Sequence, residues 1–202
     1  MVEGDEGILC IALFFYICGE NKMRKILFLD IDGVLNSRFW YKNPIRKFLK
    51  EQNINRWNLF WLSLFCRTKR LDIVLSSSWR YGWTENGEVR EVYALSSDKL
   101  FKRYGLNIIG RTCLGSTELK NKYEITYNSD LKPFDAPYYR GTQILDYIEK
   151  HDLDIRDCLI VDDDIFDIVC YDCLKSITIR TSFYKLFGGF QPSHFFKNIF
   201  HH

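Results

Sequence analysis

Three apolar stretches of this chain each end in side chains suited to phosphate or metal chemistry. Lys25–Leu29 (KILFL) leads into Asp30-x-Asp32-Gly33, Leu71–Leu75 (LDIVL) into Ser76-Ser77-Ser78, and Cys158–Val161 (CLIV) into Asp162-Asp163-Asp164-x-x-Asp167. Grouped carboxylates repel one another and are costly to leave unpaired away from water. A hard dication coordinated by oxygen removes that cost. Mg²⁺ typically takes one or two carboxylates, keeps several waters and accepts phosphate oxygens.

These clusters meet only if the apolar stretches lie side by side. Short continuous apolar runs suit parallel strands covered on both faces. Helical spacing of apolar residues lies between them. Ile45 to Phe65 reads as two helices separated near Gln52–Asn55, after a break at Asn43-Pro44. Val89 to Tyr104 reads as a helix stopped by Gly105, following a turn at Glu85-Asn86-Gly87-Glu88. Thr142 to Lys150 is amphipathic, with Ile144, Leu145 and Ile148 on one face. Leu106 to Ile109 and Ser176 to Ile179 are the remaining strand candidates, and a helix after Gln191-Pro192-Ser193 falls within the aromatic-rich Phe183 to Phe200. Strands alternating with helices predict a three-layer, Rossmann-like α/β domain with right-handed crossovers. In such sheets ligands bind outside the carboxyl ends of the strands, so all three polar clusters converge there.

Two regions stand apart. Residues 111–138 mix Gly115, Pro133 and Pro137 with the alternating Tyr123–Tyr127 (YEITY) and read as a small insertion, a loop or hairpin. Residues 1–22 read as an extension ahead of a domain spanning 23–202, because Met23-Arg-Lys-Ile-Leu-Phe-Leu-Asp resembles a natural start leading into a first strand. Their apolar run, Ile8 to Cys18, is shorter than the ~20 residues a membrane-spanning helix needs. It follows Glu3, Asp5 and Glu6 rather than the basic residues of a signal peptide. The competing reading is an added helix or edge strand packed on the core.

The 202 residues carry Lys+Arg 28 against Asp+Glu 26, so no overall field draws the chain to nucleic acid or an anionic membrane. Apolar residues make up 47% and charged residues 27%, which excludes disordered and low-complexity classes. Seven cysteines form no even disulfide framework and fit reduced thiols in a cytoplasmic protein. Cys170-Tyr-Asp-Cys173 has the form of half a zinc site, but no second pair completes it.

With the clusters in order, Phe28-Leu-Asp-Ile-Asp-Gly-Val-Leu-Asn36 resembles the first motif of the haloacid dehalogenase (HAD) superfamily in its phosphatase form. The serines after LDIVL resemble the second motif and LIVDDDIFD the fourth. SSSWR, followed by Arg140-Gly-Thr-Gln-Ile-Leu, further resembles the HAD domains of polynucleotide repair proteins. The resemblance implies a Mg²⁺-dependent phosphomonoesterase working through an aspartyl-phosphate. Asp30 takes the place of the nucleophile and Asp32 that of the general acid and base. A two-residue step on a chain leaving a strand can bring both carboxylates to one phosphate, and Gly33 permits the sharp turn.

The implied metal set is Asp30, Asp32 through its backbone carbonyl, and Asp163, with Asp162 or Asp167 in support. Ser77, or else Ser76, is the phosphoryl hydrogen-bond donor, and Ser77 is preferred because repair-type relatives read Thr-Gly-Trp there. Gly33, Ser76, Ser78 and Arg80 complete a phosphate-binding set. The basic third motif departs from the usual lysine; Arg140 is the first choice and Lys132 the second. Arg binds phosphate bidentately but does not simply replace Lys. Little chain separates Asn36 from Leu71, so no large cap is expected, and an uncapped site admits a bulky substrate such as a nucleotide or polynucleotide end.

Each motif has a plainer reading. The serines can cap a helix at Trp79-Arg80, Asp164 and Asp167 can be solvated or capping, Trp79 can be core, and Arg80 can serve a structural ion pair. The basic runs Lys42–Lys50, Arg67–Arg70 and Lys99–Arg103 can guide a polyanion or simply face water. A non-catalytic HAD-like module that binds nucleic acid or protein is the alternative function. A phospho-receiver domain fits poorly, since its acidic pair comes on the first strand and its phosphorylated Asp on a middle one.

Overall fold

The computed structural model describes residues 25–48, 53–115, 123 and 138–199. Five parallel strands form one sheet in the order β3-β2-β1-β4-β5. They are β1 (Lys25–Leu29), β2 (Leu71–Leu75), β3 (Ile108–Arg111), β4 (Cys158–Asp162) and β5 (Thr178–Arg180). Every residue of β2 and β4 is buried, as continuous apolar runs require when helices cover both faces. Asp72, the polar exception in β2, accepts from Asn107 Nδ2 at 2.9 Å.

The helices are α1 (Arg38–Lys42), α2 (Arg56–Lys69), α3 (Leu95–Arg103), α4 (Arg140–Lys150), α5 (Asp172–Lys175) and α6 (Pro192–Ile199). Asn55 caps α2 by accepting from the Trp57 amide at 3.0 Å, which satisfies one of the donors a helix start leaves open. From α2, Phe65 packs on Phe190 at 5.4 Å between ring centroids and Trp61 on Phe195 at 5.6 Å. From α4, Tyr147 meets Phe28 of β1 edge-on at 5.6 Å. The sheet is therefore sandwiched in three layers, with no large cap among the described residues.

Local departures from the sequence reading have physical causes. The Val89–Tyr104 helix shortens to α3 because Val89 bridges Trp83 in a small antiparallel pair. The amides of Arg90 and Glu91 both donate to the Gly82 carbonyl, at 2.8 and 3.2 Å, and hold that arm out of the helix. β3 begins two residues later than expected and runs through Gly110, where a side chain would meet the Tyr147 hydroxyl at 2.6 Å. The expected first helix of Ile45–Phe65 is a 3₁₀ turn, Pro44–Phe48, preceded by α1, which Ser37 caps. The 1–22 extension, Cys10 and Cys18, Lys132, and the expected strand at Tyr123–Tyr127 apart from Tyr123 lie outside the described residues. No helix among the described residues is long and apolar enough to cross a membrane.

Candidate active site

β1 and β4 are neighbours in register, Leu29 opposite Val161, and the Asp30 amide donates to the Val161 carbonyl at 3.0 Å. That pairing sets Asp30 beside Asp162 and Asp163. One carboxylate oxygen from each of the three lies within 4.8 Å of the others. Burial is the main reason the Asp30 and Asp162 carboxyls are pushed far above the usual carboxylate range; the charges of Asp163 and Asp32 raise Asp30 further, and that of Asp30 raises Asp162, against the opposing pull of Arg140. Asp163 and Asp167 are also raised, again chiefly by burial.

Arg140, at the start of α4, supplies the counter-charge. Its Nη1 lies 2.5 Å from Asp162 and 3.3 Å from Asp30. Its backbone amide donates to Asp167 Oδ2 at 2.8 Å, so Asp167 anchors the start of the helix that carries the guanidinium. Burial opposes that charge, but Asp162, Asp30 and Asp167 outweigh it and hold Arg140 protonated.

Asp32 stands on the other side of the turn, clasped by three donors. Asn36 Nδ2 donates to Oδ1 at 2.8 Å, the Tyr41 hydroxyl donates to the same oxygen at 3.3 Å, and the Trp79 indole N–H donates to Oδ2 at 3.0 Å. Burial and the nearby Asp32 charge push the Tyr41 phenol up to about 12, so it stays a donor. Gly33 has φ +79°, and a Cβ there would overlap the Asp163 carboxyl at 2.1 Å. The glycine thus frees the turn and also makes room for an acid from another strand. The Thr181 hydroxyl donates to the Gly33 carbonyl at 2.8 Å and fixes the turn from β5.

The serines divide their tasks. Ser77 is buried, and its hydroxyl accepts from the Trp79 amide at 3.2 Å, capping the 3₁₀ turn Ser78–Gly82. Ser76 is 1% exposed, and its hydroxyl has no hydrogen-bond partner among the described residues. Ser76 and Ser78 line a hollow of about 500 Å³ together with Asp30, Asp32, Arg80 and Arg140. Arg80 makes no ion pair among the described residues; it donates to the Ser76 carbonyl at 3.0 Å and to the Tyr81 hydroxyl at 3.3 Å. Trp83 is fully buried. The basic runs Arg67–Arg70 and Lys99–Arg103 sit at the opposite edge of the sheet, where the strands begin.

Residues 26–185 match the pattern of the HAD domain in Swiss Army Knife RNA repair proteins. The chain belongs to that family. At the family level a HAD domain of this kind is a phosphoesterase, which agrees with acids, serines and a cation gathered where three strands end. No curated protein and no solved structure matches the chain.

The donor set fits the Mg²⁺ that HAD domains generally use: three oxygen acids, two of them deeply buried and destabilised as anions, at the mouth of a polar hollow. The sequence reading missed Asn36, Tyr41 and Thr181. Asn36 alone carried a signal, as a buried-type polar residue directly behind the Asp-Gly turn. The other two approach from remote chain positions or from a helix that propensity does not announce.

Proposed function

We propose that this chain is a Mg²⁺-dependent phosphomonoesterase acting on a nucleotide or polynucleotide end. In the first half-reaction an Asp30 oxygen bonds to phosphorus as the ester P–O bond breaks. Asp32 gives its proton to the leaving oxygen. In the second, Asp32 takes a proton from water, the water oxygen bonds to phosphorus, the acyl-phosphate bond breaks, and Asp30 is regenerated with release of inorganic phosphate. The three donors on Asp32 hold the carboxylate that this cycle must orient. Asp30, the Asp32 carbonyl and Asp163 would hold the Mg²⁺, which lowers the cost of bringing a phosphate dianion to a carboxylate.

Arg140 screens Asp162 and Asp30 on one flank and offers a guanidinium N–H to the phosphoryl group. The Ser76 hydroxyl, unpartnered among the described residues on a residue that lines the hollow, is the donor to a phosphoryl oxygen; Ser77 supports the turn that presents it, and Ser78 and Arg80 complete the rim. The catalytic domain is residues 23–202, with 1–22 outside it, and its reduced thiols suit the cytoplasm.

The observation that carries this reading is the meeting of Asp30, Asp162 and Asp163 with Arg140 and the orphaned Ser76 hydroxyl. The test is Asp30→Asn, which keeps the shape and removes the nucleophile. Phosphate release from an aryl phosphate with Mg²⁺ should vanish while thermal stability holds. Substantial residual turnover overturns the assignment, and nucleic-acid binding by a wild-type chain that never turns over phosphate favours the non-catalytic module.

A further inference from the structure

A second and larger hollow adjoins the acid centre. Its volume is about 840 Å³, and Asp32, Asp163 and Asp164 belong to both hollows. The far wall is built by the chain leaving β5. Arg180 ends that strand opposite Asp162 of β4. Thr181 is tied to the Asp162 carbonyl at 2.9 Å and, through its hydroxyl, to Gly33. The Phe183 carbonyl accepts from the Arg38 amide at 2.9 Å. This wall is thus tied to the catalytic turn through Thr181 and to the first turn of α1 through Phe183.

The wall presents two kinds of groups. Arg180 and Lys185 line this hollow and a further one of about 460 Å³ beyond it, so the two cations stand on the ridge between them. Neither forms an ion pair among the described residues. The second group is aromatic. Phe183 rests on Tyr41 at 6.1 Å between ring centroids, and Tyr184 stands edge-on to Phe183 at 5.3 Å while remaining 77% exposed. An exposed ring held upright by a second ring offers a face to stack on, and cations spaced along a groove match a repeating anion.

We propose that this hollow holds the nucleotide adjoining the terminal phosphate, with Arg180 and Lys185 on the next internal phosphate and Tyr184 against a base. The claim rests on the phosphatase reading of the acid centre and narrows its substrate to an oligonucleotide end, as opposed to a mononucleotide or a sugar phosphate. A mononucleotide satisfies the acid centre and leaves both cations without a partner. An oligonucleotide fills both hollows.

The experiment compares an aryl phosphate, a mononucleotide, and short single-stranded RNAs phosphorylated at either end, using the full chain with Mg²⁺. The wild type should show a KM at least tenfold lower for one of the RNAs than for the mononucleotide. Arg180→Ala/Lys185→Ala and Tyr184→Ala should each lower the ratio of kcat/KM for RNA to that for aryl phosphate about tenfold. The double cation variant should also flatten the salt dependence by about one unit of log-log slope. Lys102→Ala, which removes one positive charge from the α3 surface where it pairs with Asp98, should leave the ratio unchanged.

Anisotropy of labelled RNA on Asp30→Asn protein reads the same contacts without turnover. Equal KM values for RNA and mononucleotide, or unaltered RNA binding in the double cation variant, overturn the proposal. Tight, cation-dependent RNA binding with no turnover of any substrate upholds the hollow and defeats the phosphatase reading instead.

Discussion

Gly33→Ala tests whether the acid centre is a metal site whose geometry matters. A Cβ at this position would lie 2.1 Å from Cγ of Asp163. Carbon atoms rest at ~3.5 Å, so Asp163 must retreat by roughly 1.4 Å, and the Thr181 bond to the Gly33 carbonyl resists a compensating shift of the turn. Mg²⁺ holds its ligands at about 2.0–2.1 Å in near-octahedral order. A displacement of that size takes Asp163 out of the coordination sphere. Loss of a group that supports a metal ligand costs about 10–100-fold in affinity, and losing the ligand itself should cost at least as much.

The same substitution also strains the backbone, because φ there is +79°. Left-handed geometry costs an alanine about 1–2 kcal/mol, which in a chain of this size lowers Tm by roughly 2–8 °C. Gly105→Ala separates the two effects. Its φ is +72°, and its Cβ meets only the movable end of Arg67, at 2.7 Å. Both variants should lose similar Tm by scanning fluorimetry, and only Gly33→Ala should need at least tenfold more Mg²⁺ for half-maximal phosphate release. Equal half-saturating Mg²⁺ in the two variants would refute the placement of Asp163 at the ion.

Two more outcomes follow from the same geometry. Trp79→Phe removes one of three donors to Asp32 and should lower kcat about tenfold, as loss of ~1.4 kcal/mol of orientation predicts. Its half-saturating Mg²⁺ should stay put, since the indole bonds the Asp32 carboxylate and not the Asp32 carbonyl assigned to the ion; a shift in that value with kcat intact contradicts the positioning role. In EDTA, Asp30 and Asp162 have carboxyl pKa values raised by burial above the ~3.9 of an unfolded aspartate. The folded state then binds more protons, so this contribution to stability is present below about pH 4 and is lost as pH rises through neutrality. Mg²⁺ should therefore raise Tm more at pH 8 than at pH 5, and a larger effect at pH 5 contradicts the assignment.

The strand ends were readable because continuous apolar runs stop abruptly at polar clusters, and the parallel-sheet rule brings such ends together. That rule brought Asp30 to the acidic run 162–167, and the resemblance to the HAD fourth motif singled out Asp163 within it. Arg140 came from its place ahead of an amphipathic helix, which fixed its position in the chain but not its reach to two acids at once. The division of labour between Ser76 and Ser77 was hidden, because adjacent residues in a turn point to different sides and only coordinates tell which hydroxyl the backbone claims. Trp79 read as packing because a tryptophan's ring dominates its chemistry in sequence, while its single N–H decides its task here. Tyr184 and Lys185 sit in a segment with no periodicity, so their shared wall appears only once β5 is docked.

The seam between β1 and β4 has a consequence for how this protein comes into being. Asp30 directly follows the first described strand, while of its two partner acids Asp162 ends the fourth and Asp163 directly follows it. A nascent chain emerging from the ribosome therefore carries half an ion site through most of its synthesis. The other half arrives only when Cys158–Asp162 slots in beside Lys25–Leu29. Sensitivity to divalent cations should appear late and abruptly during refolding, so a metal titration can serve as a clock for closure of the central seam.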